Sequence, residues 1–506
     1  MSNKKQNEKI DIGKVLKLSD LNFEERVRKQ VEQGDFTNSQ ALIEIAKEIA
    51  EFFIEENGEV YATVELNNTY YHVPVSDYRF ERILRKVYFD IFKKPINKSL
   101  LTEAIETISA YQEFSLQHNS RQKIFIRVGG TKDTVYINLN RPTGEVVKVD
   151  STGWTIITNP PVKFRKNDNL KPLPLPSRGG SIQELSDFLN VSEDDKILIY
   201  SFLLGCFSPT GPYPLLILQG PQGVGKSFLS QLLKKIVDPA FAAPIRSLPR
   251  NEQDLMISAQ KSHLLAFDNL SGISKAMSDS LCKLSTGGGF ATRKFYENSE
   301  EVVISAMRPV ILNGIDFIAR RPDLADRSII IDLIPIKLSN RKTEEELMIE
   351  FETRLPRIFG ALLDALSIAT REYKRISLDI SPRMADYAKW AQAGEIGFGF
   401  KSQTFLKAYL QNRKKIAEES VEHDLLISSI FDCLTKYKFL SGNATTILEN
   451  LKKFVPVDVQ NSKYFPAPHH LKDELTRIVP ILNANNISYS YKRNNKGRIH
   501  TLKLVD

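Results

Sequence analysis

The chain has 506 residues, too many for one hydrophobic core, so about three domains are expected. With 42% hydrophobic and 26% charged residues, and no apolar run long enough to span a bilayer, it reads as a soluble globular protein rather than a membrane-embedded one. Its net charge of +8 suits a polyanionic partner without specifying one. Cys206, Cys282 and Cys433 are scattered without metal-ligand spacing, and the polar start MSNKKQNEK is unlike a signal peptide, so a cytoplasmic location is expected.

Residues 1–34 are charged and lack an apolar stripe, which predicts a mobile tail or a surface helix. An α+β module is expected over 35–175. It opens with a helix carrying Ala41, Ile45, Ala46, Ile49 and Phe53, followed by strands at 59–66 and 70–73 and helices at 80–92 and 100–113. A β-rich stretch then runs through 123–127, 134–139, 145–149 and 153–157. No carboxylate cluster of the kind a two-metal polymerase needs is present, so docking to a protein partner or oligomerisation is its expected role. Pro172, Pro174, Pro176 and Gly179-Gly180 read as a linker. An α/β nucleotide-binding domain is expected over 176–375, a helical lid or linker over 376–420, and a last domain over 421–506.

The most informative segment is Gly220-Pro221-Gln222-Gly223-Val224-Gly225-Lys226-Ser227, a complete G-x-x-x-x-G-K-S loop. The apolar run 215–218 precedes it as a buried parallel strand should, and Phe228, Leu229, Leu232, Leu233 and Ile236 follow at helical spacing. Glycines let backbone N–H groups approach a triphosphate, the helix N-terminus favours the anion, Lys226 reaches the terminal phosphates and Ser227 offers a hydroxyl to Mg²⁺. ATP and Mg²⁺ are the expected cofactors.

Such a loop needs a second acidic Mg²⁺ ligand at the end of a neighbouring buried strand, and Asp268 ends the apolar run 264–267. Asn269 follows, where a glutamate would polarise the attacking water; an amide can hold that water but cannot take its proton. Asn313 ends another apolar strand and is suited to orienting water against the γ-phosphate. Arg327, just before the strand 328–331, is a candidate arginine finger for a neighbouring subunit's nucleotide, with Arg320 and Arg321 as alternatives; pairing with Asp323 or Asp326 is the other reading. Between these elements, Gly287-Gly288-Gly289 leads into Arg293-Lys294 flanked by Phe290, Phe295 and Tyr296, a hairpin able to touch phosphates and stack on bases.

In this order of elements the sequence resembles the superfamily 3 helicases, a branch of the AAA+ ATPases of viral, phage and plasmid replication. The resemblance covers about residues 180–340, and the segment 268–327 looks more narrowly like the ATPases of phages and integrative elements. It implies a ring, usually hexameric, with Lys294 and its neighbour Arg293 lining a pore that draws single-stranded DNA. The Asp268-Asn269 pair departs from the usual acidic pair.

Downstream, 424–440 and 470–483 read as amphipathic helices with a shorter one at 444–451, and 487–502 as a hairpin turning at 494–497. Three helices and a basic hairpin resemble a winged helix, with Lys492, Arg493, Lys496 and Arg498 near the tip facing single-stranded or duplex DNA. The expected fold class is thus α/β: a P-loop AAA+ ATPase domain with an N-terminal α+β module and a C-terminal winged helix. The expected function is an oligomeric ATP-dependent DNA translocase or helicase. The alternative is a nucleotide-switched assembly protein that binds DNA or a protein partner and hydrolyses little.

Overall fold

The computed structural model describes residues 22–66, 68–115, 121–293, 301–315, 318–319, 321–336, 342–423, 425–455, 466–494 and 497–505. The first elements are α1 (Phe23–Glu32), α2 (Asn38–Ile49), β1 (Ala50–Ile54), β2 (Val60–Leu66), β3 (Thr69–Pro74), α3 (Tyr78–Phe92) and α4 (Lys98–Ser115). They enclose their own core, to which α1 contributes Phe23 and Val27, one helical turn apart, so this helix is part of the packed fold and not a loose surface element. A capping box between Thr37 and Gln40 starts α2. That helix stops at Ile49, short of Phe53, which the periodicity had placed on it. The chain passes directly into β1, where antiparallel pairing with β2 puts Phe53 opposite Tyr61, the two rings 5.4 Å apart. An apolar run reads equally as helix or strand, and the partner strand decides.

Next come β4 (Ile124–Phe125), β5 (Val128–Gly130), β6 (Thr134–Asn138), β7 (Val146–Asp150), β8 (Gly153–Ile157) and β9 (Lys163–Phe164). The antiparallel meander β5–β8 does not join the first core. Val135, Ile137, Val147, Val149 and Trp154 pack into the large core shared with the central parallel sheet and its helices. The stretch read as one module, 35–175, is therefore divided between two cores. The Pro/Gly segment after it is no free linker either. Leu173 is fully buried, Ser177 N–H donates to Pro356 O at 2.9 Å, and Arg178 stacks 4.1 Å from the Trp154 ring. Backbones touch here because glycines allow it: a Cβ on Gly360 would meet Ser177 O at 1.9 Å.

The central region contains α5 (Glu193–Cys206), β10 (Leu215–Gln219), α6 (Lys226–Val237), α7 (Glu252–Lys261), β11 (Leu265–Leu270), α8 (Lys275–Thr286), β12 (Gly289–Arg293), β13 (Glu301–Ser305), β14 (Val310–Gly314), α9 (Pro322–Ala325) and β15 (Ser328–Asp332). Four strands form one parallel sheet in the order β11-β14-β10-β15. All five residues of β10 are buried, the signature of a strand covered on both faces. Helices α10 (Glu344–Glu372), α11 (Ala385–Gly394) and α12 (Thr404–His423) pack on this region; α10 begins with a capping box between Thr343 and Glu346. The last elements are α13 (Leu425–Tyr437), β16 (Phe439–Gly442), α14 (Ala444–Lys452), α15 (Leu471–Ala484), β17 (Ile487–Asn494) and β18 (Gly497–Leu504), around a core of their own.

A buried ionic knot joins the meander to the sheet. Asp238, at the end of α6, receives Arg127 Nε on Oδ1 at 3.1 Å and Lys234 Nζ on Oδ2 at 2.8 Å. Its Oδ2 also accepts the backbone N–H groups of His263 and Leu264 at 2.9 and 3.1 Å. Arg127 in turn donates to Asn138 O and Lys171 O. Burial alone would raise the Asp238 carboxyl, but Lys234 and Arg127 outweigh it and hold it far below the ordinary carboxylate range. The knot sets where α6, and hence the loop before it, sits against β11. All three cysteines are buried, and no described helix is long and apolar enough to cross a membrane.

Candidate nucleotide site and nucleic-acid interfaces

The strand order places the chemistry. β14 lies between β10 and β11, so Asn313 sits directly beside the phosphate-loop strand, in register with Leu218, and Asp268 one strand further out. The loop bends through positive φ at Gly223 (81°) and Gly225 (86°), conformations that favour glycine. At either position a Cβ would meet nothing within 4 Å, so the cradle is open. Pro221, Gln222 and Gly223 are exposed, while Val224 is buried and anchors the loop.

Lys226 folds back so that Nζ donates to Gly220 O and Pro221 O, both at 2.7 Å, and burial lowers its pKa. Ser227 Oγ donates to Asp268 Oδ1 at 3.1 Å. These two side chains, one hydroxyl and one carboxylate at the mouth of the cradle, suit a Mg²⁺ that takes its remaining ligands from phosphates and water. Among the described residues no group of three or more His, Cys, Asp or Glu gathers to hold a metal by itself.

Asn313 is 1% exposed and its amide is used at both ends. Oδ1 accepts the Asn269 N–H at 3.0 Å, and Nδ2 donates to Ser230 Oγ at 2.9 Å. It ties the turn after Asp268 to the phosphate-loop helix. Asn269 itself is exposed, with φ 58°, a left-handed conformation that asparagine tolerates better than most residues. Sequence reasoning missed Asn190, which fixes the loop from the other side: Nδ2 donates to Val224 O at 2.6 Å and to Ile334 O at 2.9 Å. An asparagine ahead of a helix reads as a turn residue, and no local signal exposes a bond to residues 34 and 144 positions away.

Arg327 turns into its own chain. Its guanidinium pairs with the Asp323 carboxylate and donates to Asp323 O at 2.9 Å. Asp323 is shared with Arg383 at 3.2 Å, and Arg413 pairs with Asp326. Arg321 pairs with Asp279 at 2.9 Å; Arg320 lies outside the described residues. The structure therefore engages the two described arginine candidates within the chain.

The glycine-led hairpin is present as β12 and β13, antiparallel, with Arg293 opposite Glu301. Lys294 lies outside the described residues. In the C-terminal hairpin Arg493 stands opposite Arg498, and both are exposed, as is Lys492; Lys496 lies outside the described residues. Two like charges facing each other across strands repel unless an anion sits between them. On α15, Lys472 Nζ lies 4.7 Å from the Tyr491 ring and Arg477 pairs with Glu474 at 2.7 Å, so Lys472 is the exposed cation that extends the hairpin's basic face.

Comparison with known proteins follows the same division of the chain. No match to a curated protein sequence was found. Among solved structures, the apo C-terminal region of NrS-1 is similar at 13% identity, over 92% of this chain and 98% of that one, with a TM-score of 0.40. A second structure of that region is similar at 13% identity, over 93% of this chain and 100% of that one, with a TM-score of 0.37. Residues 181–415 match the family described as the actinomycete integrative conjugative element replication protein. The stretch 426–505 matches the C-terminal domain of the same protein. In two successive stretches, the chain is thus similar to the replication proteins of actinomycete integrative conjugative elements.

Proposed function

We propose that this protein is an oligomeric ATP-dependent DNA translocase or helicase acting in the replication of an integrative mobile element. The observation that carries the reading is that Ser227, next to Lys226 in the glycine loop, bonds Asp268 while Asn313 bonds the following Asn269 N–H, all at the C-terminal ends of three parallel strands. The strand order β11-β14-β10-β15 agrees with an AAA+ core, and the order of α13, β16, α14, α15 and the β17–β18 hairpin agrees with a winged helix. In this reading ATP supplies the phosphoanhydride whose hydrolysis drives movement. Lys226 neutralises its terminal phosphates, Ser227 and Asp268 would hold the Mg²⁺, and Asn313 fixes the turn bearing Asn269, whose exposed amide would hold the attacking water. Arg327 would serve a neighbouring subunit only after leaving Asp323. Resemblance to superfamily 3 points to a hexamer with the β12–β13 hairpin towards the pore.

The test is the ATPase rate with and without single-stranded DNA, together with the particle mass with nucleotide bound. Turnover stimulated by single strands in a particle of several copies is expected; a monomer whose turnover ignores DNA contradicts the proposal. The exposed amide of Asn269, which cannot accept a proton, favours a second reading, a nucleotide-switched assembly protein. Its mark would be nucleotide-dependent assembly with turnover near zero whether or not DNA is added.

The C-terminal hairpin gives an independent prediction. Replacing Lys492, Arg493 and Arg498 by alanine should weaken DNA binding and flatten its salt dependence, by about 0.9 in log–log slope for each duplex phosphate that is no longer neutralised. An unchanged slope in a titration of binding against salt would take these residues out of the interface.

A further inference from the structure

After β9 the chain runs beside β3: Arg165 bridges to His72, and Lys166 N–H donates to His72 O at 3.0 Å. Across from it, the turn between β6 and β7 presses onto the start of β3. Gly144 (φ 74°) makes this approach possible, since a Cβ there would lie 2.7 Å from Thr69 Cγ2. Between these walls is a cavity of about 360 Å³, lined by Tyr70, Asn138, Asn140, Arg141, Lys163 and Lys166 among others. That volume suits one nucleotide-sized group.

The lining is chemically selective. Lys163 Nζ sits 4.7 Å from the Phe53 ring and Lys166 Nζ 5.0 Å from the Tyr71 ring. Burial pushes both amines down, and the carboxylates that counter it, Glu51 and Asp168, act more weakly. Asp168 is already engaged by the Tyr78 hydroxyl at 2.9 Å. Among the described residues Arg141 pairs only with Glu145, at 3.7 Å. Partly desolvated cations whose counter-charges are weak or shared gain from an anion brought to them. Tyr70, 47% exposed, presents a flat ring at the rim; Asn138 Oδ1 already accepts the Asn140 N–H at 2.8 Å and Asn140 Nδ2 donates to Leu170 O, which leaves Asn138 Nδ2 as a donor and Asn140 Oδ1 as an acceptor. A run of Asp and Glu alone would satisfy the cations but brings no ring for Tyr70.

We propose that this cleft binds a single strand of nucleic acid, with phosphates on Lys163, Lys166 and Arg141 and an unpaired base against Tyr70. It is separate from the β12–β13 and C-terminal hairpins, and it gives the N-terminal part of the chain a strand-holding role. The proposal takes from the functional reading only that a single strand is the ligand.

The test uses the full chain without nucleotide and a fluorescein-labelled oligothymidylate. Tyr70→Ala should weaken binding about tenfold with the salt slope unchanged, and Tyr70→Phe, which keeps the ring, should bind like wild type. Arg141→Ala with Lys166→Ala should also weaken binding about tenfold and lower the slope by about 1.4, at about 0.7 per phosphate on a single strand. Irradiation of a bromouracil-substituted strand should crosslink the peptide containing Tyr70. Thermal melts matching wild type verify that the variants are folded. Variants that bind like wild type, equal losses in Tyr70→Phe and Tyr70→Ala, or polyglutamate competing as well as the oligonucleotide would each overturn the proposal. So would a wild-type chain that hydrolyses ATP yet binds no strand. Intact, cleft-dependent strand binding without ATP turnover would instead sink the helicase reading and support this one.

Discussion

Lys226→Ala is expected to lower ATP turnover by about two to three orders of magnitude, the usual cost of losing one preorganised charge at a developing anion. Lys226 supplies the loop's side-chain cation, and its Nζ now rests on Gly220 O and Pro221 O, a position it can leave when phosphates arrive. The side chain is half-buried at a helix start and takes no part in the core, so the variant should fold. Phosphate release and fluorescent-nucleotide binding measure the effect. Full turnover in a folded variant would remove the loop from the chemistry.

Asp238→Ala is expected to destabilise the protein by about 3–5 kcal/mol, because it leaves buried cations unpaired. Arg127 and Lys234 both lose their carboxylate, and the His263 and Leu264 N–H groups lose their acceptor. Since the folded pKa of Asp238 is depressed, its contribution is complete above the ordinary carboxyl pKa of about 4 and disappears only as pH falls further. Thermal unfolding at pH 7 should show the full loss, and wild type taken to about pH 5 should keep this interaction. A variant melting like wild type would mean that the knot contributes nothing net. Because the knot also seats α6, any folded fraction of the variant should bind nucleotide more weakly.

The phosphate loop, the Asp268 strand and the C-terminal hairpin were legible in the sequence because each is local. A glycine pattern followed by Lys-Ser, an apolar run closed by one acid, and two alternating strands around Asn-Lys-Gly each state their own geometry within a few residues. The end of α2 was not legible, because only β2 turns residues 50–54 into a strand. Nor was the fate of the Pro/Gly stretch, whose composition reads as a linker until Gly360 and Gly180 let its backbone lie on α10.

What the sequence determined by itself was therefore local: a glycine loop running into a helix, an apolar strand closed by an acid, and basic hairpins. The tertiary structure alone decided how those parts connect. It inserted β14 between β10 and β11, which let Asn313 join the Asp268 turn to α6. It turned Arg327 onto Asp323 within its own chain, and it drew Arg127, more than a hundred residues away, onto Asp238. It also closed Tyr70, Arg141, Lys163 and Lys166 around one cavity. Contacts between distant residues depend on packing, and packing leaves no periodic trace in the chain.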